Sequence, residues 1–396
     1  MNIVVVSEYF YPDNFGINNI VEELVKAGHH VQVLTGLPDY TTFRIPKEYK
    51  WFRKRREDFH GASIIRVPTI ARRHGVFFRA LSYGSFIISS YLYACFCSKT
   101  DIDVVFVYQT SPVFQGIPAR KLKKRTGKKL VLYCCDLWPE SLKAWNVKEK
   151  SLLFRMVRRM SEKIYQSCDT IAISSKPFRN YLKEVCGVQE QCITYLPQHA
   201  EDLYRDVCGK YEENGQIDFL FAGNVGAVQN IDCIIRAIPY VRTKAPFQVH
   251  IVGDGSELEA CKQLAQQLYV TDRVRFYGRY PQSEMKRFYQ MADCFLLTLR
   301  GGDFIGLTLP AKSQSYLSAG KPIVAAIDGA GREVIQEADC GECVPAGDYL
   351  GLGESMTQVV EHFDRYRQKG RNGRKFYEEN YTREKFMESL KKLLAD

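Results

Sequence analysis

Twice along this chain, short apolar runs alternate with longer amphipathic stretches, and that alternation leaves few folds open. In the first half the runs are IVVVS, HVQVLTG, SIIRVP, DVVFVYQ, KLVLYCCD and TIAISS; in the second they are IDFLFAG, FQVHIVGDG, VRFYGR, CFLLTL, PIVAA and GECVP. Strands this continuously apolar are buried on both faces, and strands joined through helices such as Ile17 to Ala27 and Ser151 to Gln166 run parallel. The pattern predicts an α/β chain of two doubly wound domains. IVVVSEYFYPDNFG and IDFLFAGNVGAVQN open the two halves alike, each with a strand, a glycine loop and a helix start, so the chain reads as two Rossmann-like units in tandem. At 396 residues it has material for two cores. The joint is expected near Tyr195 to Gly215, where Pro197, Gly209, Asn214 and Gly215 gather among charged residues. We therefore expect domains at 1–198 and 199–375, with the amphipathic stretch 376–396 returning to the first. In such folds a ligand sits at the carboxyl ends of the strands, here between the two domains.

The formal charge of +10 points to an anionic partner: a phosphorylated ligand, an acidic membrane surface or nucleic acid. No RNA- or DNA-binding motif supports the last. Of the thirteen cysteines, Cys134, Cys135, Cys233 and Cys294 sit inside apolar runs as small hydrophobes, which predicts reduced thiols and a cytosolic setting. Cys340 and Cys343 have redox spacing but follow a helix and enter a Val-Pro turn. IVVVS is too short an apolar core for a signal peptide. Ala80 to Cys97 is uncharged, yet it lies between two strand-like runs that need a crossover helix; a membrane span is the alternative.

Several residues stand where chemistry would be done. Gly306 to Pro322, GLTLPAKSQSYLSAGKP, follows an apolar strand with a glycine loop, a lone lysine and a helix closed by Gly-Lys-Pro. Pro310-Ala311-Lys312 places an ammonium at a helix start whose dipole also favours anions, so Lys312 is the candidate to balance a diphosphate; a solvated first-turn lysine is the alternative. The amides of Gly306, Leu307 and Thr308 are expected to help hold it. Arg279 and Arg300, at strand ends, are reserves. Gly16 opens the first helix, where a missing side chain lets amides approach a phosphate; a plain tight turn is the alternative. Gly223-Asn224-Val225-Gly226 and Gly253-Asp254-Gly255 end their strands in similar loops. Asp136 ends KLVLYCCD beside Trp138 and Glu140, the pairing of an acceptor with an apolar ring that sugar hydroxyls require; helix capping is the alternative for either acid. The seven histidines offer no metal-binding spacing, and Asp101-Ile102-Asp103 precedes its strand as a turn would, so no metal is expected.

In order, FYPDNFG, EELVKAGHHVQVLTGLPDY, DLWPESL, AISS, YLPQHAEDLY, FAGNVGAVQN, HIVGDGSELE, VRFYGRYPQSEM and PAKSQSYLSAGKPI resemble glycosyltransferase family 4 of the GT-B fold. The likeness runs from about Ile3 to Asp348, and LTGLPDY, DLWPES and the PAK block are similar to the branch that builds bacterial surface polysaccharides, including N-acetylfucosamine transferases of O-antigen and capsule synthesis. The resemblance implies an acceptor-binding first domain and a nucleotide-sugar-binding second one. It implies retaining transfer of a sugar, N-acetylated or deoxy, from a UDP-sugar donor to a polyprenyl-diphosphate-linked saccharide, with no cofactor. Gly16 would meet the donor diphosphate or the acceptor, and Tyr280 with Pro281 would border the uracil.

The chain departs from the family at marked places. Asn224 and Gln229 stand where the family has Arg and Lys, and Cys135 stands near a usual histidine. The family's pair of glutamates falls on Leu307 and Ser315, leaving Asp303 to replace the first acid and Ser315 to bond a ribose hydroxyl. Lys47 to Arg56, Arg72, Arg73 and Arg79, with Trp51, Phe52, Phe77 and Phe78, form a basic aromatic strip suited to an anionic membrane and a lipid-linked acceptor; an unpartnered basic face is the alternative. The expected setting is the inner face of the cell membrane. Two other readings stand beside this one. A nicotinamide oxidoreductase would need a Gly-x-Gly-x-x-Gly that neither half carries; a non-catalytic transferase-like subunit would explain the missing cations and acids.

Overall fold

The computed structural model describes residues 1–51, 53–73, 75–97, 101–145, 147–212, 214–302 and 304–396. They form two compact units, Met1–Leu196 with Met387–Asp396, and Pro197–Phe386.

The first unit is built on a sheet of β1 (Asn2–Val6), β2 (His30–Thr35), β3 (Arg56–Phe59), β4 (Ala62–Arg66), β5 (Val104–Gln109), β6 (Lys129–Cys134), β7 (Thr170–Ile173) and β8 (Ile193–Tyr195). Their order is β3-β4-β2-β1-β5-β6-β7-β8, parallel throughout except where β3 pairs antiparallel with β4. Every residue of β5 is buried, as a strand covered on both faces must be. The helices are α1 (Gly16–Lys26), α2 (Val76–Phe96), α3 (Gly116–Thr126), α4 (Leu152–Tyr165) and α5 (Phe178–Glu184). The apolar pattern misses β3 because Arg-Glu-Asp-Phe has no apolar run. Its hairpin is set by His60 and Gly61, whose φ of +50° and +94° match a two-residue turn. The uncharged Ala80–Cys97 stretch lies along α2 and its C-cap, between β4 and β5. Among the described residues no helix is long and apolar enough to cross a membrane.

In the second unit β9 (Ile217–Ala222), β10 (Phe247–Val252), β11 (Val274–Gly278), β12 (Cys294–Thr298), β13 (Ile323–Ala326) and β14 (Gly341–Val344) are all parallel, in the order β11-β10-β9-β12-β13-β14. The first strand is central and the chain winds outward from it both ways, which is Rossmann topology. Phe219 and Phe221 of β9 enter one core layer, Leu220 and Ala222 the other. Helices α6 (Ile231–Ala237), α7 (Leu258–Gln267), α8 (Met285–Met291), α9 (Ala311–Ala319), α10 (Ala330–Glu337), α11 (Tyr349–Glu361) and α12 (Phe363–Asn380) accompany this sheet. Gly320, at φ +65°, ends α9.

The last helix, α13 (Arg383–Ala395), begins in the second unit and ends in the first. The passage falls at Met387 rather than at Phe376, because Tyr377 and Tyr381 are buried in the second core. Beyond it Leu390 and Leu394 are buried, and Lys129 Nζ donates to the Leu393 carbonyl at 2.8 Å. All thirteen cysteines are free.

Candidate functional site

In the second domain the loops leaving β9 and β10 are locked backbone to backbone. A Cβ on Gly253, at φ +146°, would lie 1.7 Å from the Gly223 carbonyl oxygen, and one on Gly255 would lie 2.3 Å from that of Val225. Only glycine fits at either place. The Val225 amide donates to the Asp254 carbonyl at 2.9 Å, while the exposed Asp254 carboxylate accepts from the Gly255 amide at 2.8 Å. Within the first loop, Asn224 Nδ2 donates to Gln229 Oε1 at 3.0 Å. The two residues at the family's cation positions do meet, as a neutral pair bonded to each other.

Lys312 stands in the first turn of α9, but its ammonium does not reach into solvent. Nζ lies 3.9 Å from the centroid of the Phe221 ring and 2.9 Å from where a side chain on Gly223 would begin. It is buried and has no hydrogen-bond partner among the described residues. Burial pushes its pKa down to about 7. The ring face returns about 2 kcal/mol to a desolvated cation, against a burial cost of several kcal/mol. The N-terminus of α9 adds further positive potential. Among the described residues no anion pairs with this ammonium.

The remaining candidates of this domain divide. Ser315 lies one turn along α9, half-buried. Arg279 is exposed just beyond β11, and Arg300 just beyond β12. Tyr280 is half-buried, its ring 5.0 Å from that of Phe288 and 4.6 Å from the Arg287 guanidinium. The Gly306 and Thr308 amides each donate at 3.3 Å, to the Gly302 and Ile305 carbonyls, so they close turns rather than face a ligand. The Gly306 carbonyl accepts from Ala330 at 2.9 Å, and Leu307 also has a partner within the chain. Asp303 lies outside the described residues.

In the first domain, Gly16 begins α1 against Tyr108, whose hydroxyl would be 2.9 Å from any Cβ there. Beyond β6, Asp136 accepts from the Ser111 hydroxyl, and Trp138 Nε1 donates to the same hydroxyl at 2.8 Å, so acid and indole are joined through Ser111. Burial raises the Asp136 pKa against the hydrogen bond from Ser111. Glu140 is buried with both oxygens engaged: Oε1 accepts from the Tyr181 hydroxyl at 2.8 Å and Oε2 pairs with Lys143 at 2.6 Å. It braces the domain instead of facing a ligand.

Sequence reading passed over a second acidic group at the ends of β1 and β2. Glu8 and Asp39 are both buried, and the Asp39 carboxylate accepts from the amide of Arg72. The signal was an acid directly after the first strand, in SEYF, and another in LPDY.

These strand orders and glycine loops define the class: both domains are those of the GT-B glycosyltransferase fold. More particularly, residues 16–198 match the family model Glycosyltransferase Family 4, and residues 209–376 match Glycosyl transferases group 1. The chain is 29% identical over 265 residues to WbjE of Pseudomonas aeruginosa, named as a probable glycosyltransferase, a match spanning 64% of this chain and 65% of that protein. It is 24% identical over 340 residues to WcaI of Escherichia coli K12, a glycosyl transferase named for colanic acid biosynthesis, covering 81% and 82% of the two chains. The solved structure of Alr3699/HepE from Anabaena in complex with UDP and glucose shares the fold, with a TM-score of 0.69 at 11% identity over 100% of this chain and 99% of that one.

Proposed function

We propose that this protein transfers a sugar, N-acetylated or deoxy, from a UDP-sugar to a lipid-linked saccharide during synthesis of a bacterial surface polysaccharide. The observation that carries the reading is Lys312, a buried ammonium without an anion, between a glycine loop and a helix N-terminus. A departing diphosphate supplies that anion, and a preorganised cation stabilises it as charge develops. Lys312 balances the leaving group, with no metal or cofactor assigned to the task. Asp136 beside Trp138 orients an acceptor hydroxyl in the first domain. Transfer is retaining, in keeping with the family resemblance. The relatives named as glycosyltransferases, one of them for colanic acid, and the UDP complex of a protein of the same fold support the reading.

The protein works on the inner face of the membrane. Exposed Phe77, Leu81, Ile88, Leu92 and Phe96 share one stripe of α2, and α4 exposes Leu152, Leu153 and Met156 beside Arg155 and Arg159. Apolar stripes flanked by cations suit an anionic interface. The double variant Ile88→Asp, Leu92→Asp is expected to lose binding to phosphatidylglycerol vesicles at unchanged melting temperature; equal binding removes this part of the reading.

The rival is a non-catalytic subunit, favoured by the self-bonded Asn224–Gln229 pair. Calorimetric titration with UDP, followed by UDP release from a panel of UDP-sugars with and without EDTA, decides between them. Absence of UDP binding rejects the transferase reading.

A further inference from the structure

The sheet of the first domain is left open at its amino ends. β2 reads His-Val-Gln-Val-Leu-Thr, polar at 30 and 32 on one face and apolar at 31 and 33 on the other, where a strand covered on both faces would be apolar on both. Register sets Asn2 beside His30 and puts Val4, Gln32 and Ser63 in one row across β1, β2 and β4. Two residues further along β4, Ile65 stands beside Arg56 of the edge strand. The last turns of α2 line the same space with Leu92, Tyr93 and Phe96, and α3 with Leu122, leaving a groove of about 890 Å³. Among the described residues no hydrogen bond engages the side chain of Asn2, His30, Gln32, Arg56, Ser63 or Tyr93. Burial raises the pKa of the Tyr93 hydroxyl and the Arg56 charge opposes it. The arginine and the carboxylate of the lining, Arg56 and Asp101, are opposite in sign, so they leave no excess charge with which to select a phosphate. Neutral amides and hydroxyls beside aromatic faces are instead what sugar hydroxyls and the apolar faces of sugar rings bind.

The groove is not the place where chemistry would be done. It lies at amino ends, whereas Gly16 and Asp136 follow the carboxyl ends of β1 and β6, and β1 alone is about 16 Å long. We propose that this groove is a second saccharide site, in which Gln32 and Ser63 bond the hydroxyls of an oligosaccharide and Tyr93 and Phe96 offer it ring faces. The glycan's origin as acceptor or product rests on the transferase reading; the binding itself can be tested without it. A chain held here while its end is extended elsewhere stays at high local concentration, so longer glycans gain over short ones.

The test uses saturation-transfer NMR on the full chain with maltotriose and N,N′,N″-triacetylchitotriose as probes, alongside UDP titration and sedimentation with phosphatidylglycerol vesicles. We expect at least one trisaccharide to bind. The double variant Gln32→Ala, Ser63→Ala removes two side chains without bonds inside the chain, and it weakens that binding roughly 10-fold at unchanged melting temperature and unchanged UDP affinity. Ser63→Trp, at an exposed strand position that tolerates an aromatic residue, fills the groove and abolishes binding. Failure of both trisaccharides to bind the wild type, or wild-type affinity in both variants, overturns the site. Loss of vesicle binding in the double variant, with no trisaccharide bound by the wild type, overturns it in favour of a lipid headgroup. Trisaccharide binding without UDP binding leaves the groove standing and rejects the transferase reading instead.

Discussion

Two lysines with buried ammonium groups bracket α9, and their surroundings are opposite. Lys321, just past the helix, is fully buried and gives its ammonium to the carbonyls of Gln290, at 2.7 Å, and Ala292. Lys312, in the first turn, has only a ring face. Burial lowers both, Lys321 to about 8 and Lys312 to about 7. The difference teaches that burial alone does not mark a functional cation. A cation supplied with carbonyls is a strut; one held without an anion keeps its strongest interaction in reserve.

The largest expected effect separates the two directly. Lys312→Met should weaken UDP binding about 100-fold, about 2.7 kcal/mol, at an equal or higher melting temperature, since an unpaired buried charge is removed. Lys321→Met should lower the melting temperature by leaving two carbonyls unpaired, at an unchanged UDP affinity in the folded fraction. Equal loss of UDP affinity in both variants breaks the comparison. Gly223→Ala places a methyl 2.9 Å from Nζ and should cost about 10-fold in UDP affinity, read by the same titration.

pH sharpens the contrast further. Between about 7 and the unfolded lysine value near 10.5, folded Lys312 has released a proton that the unfolded chain retains. Wild-type stability relative to Lys312→Met should therefore rise with pH across that window, and the full burial penalty should be felt below it. For Lys321 the window opens at about 8. Urea unfolding across about pH 6 to 9 should show a slope of this sign in both differences. UDP affinity should fall as pH rises above 7, because the anion needs the ammonium. The smallest effect is Gln229→Lys, which restores a cation at a half-buried loop position and should tighten UDP roughly 3-fold, by well under 1 kcal/mol.

Much of the fold is legible because strands covered on both faces must be largely apolar, as β5 and β9 are apart from the buried Gln109 and Asp218. The exception, β3, is an edge strand on which Arg56 and Asp58 are exposed while Glu57 pairs with the buried Arg66 at 2.7 Å. The interlocked glycines at 223, 253 and 255 announce close backbone approach, and the structure has it. Lys312 is legible as a helix-start lysine, but its burial depends on Phe221 and Gly223, far away in the chain. The turn amides of Gly306 and Thr308 are not legible at all, since side-chain identity does not record where an N–H points. Glu8, Asp39 and Arg72 meet only once three separate loops are folded.

The passage of α13 out of the second domain means that the first domain is not written in one piece. Residues Met1–Leu196 leave the ribosome before the second domain, yet the segment Met387–Asp396 that completes their contacts is made only after it. Throughout synthesis of the second domain, the surface awaiting Leu390 and Leu394 stays uncovered and sticky. A stop codon before Met387 should yield a chain whose second domain is intact and whose first domain is the one that binds chaperones.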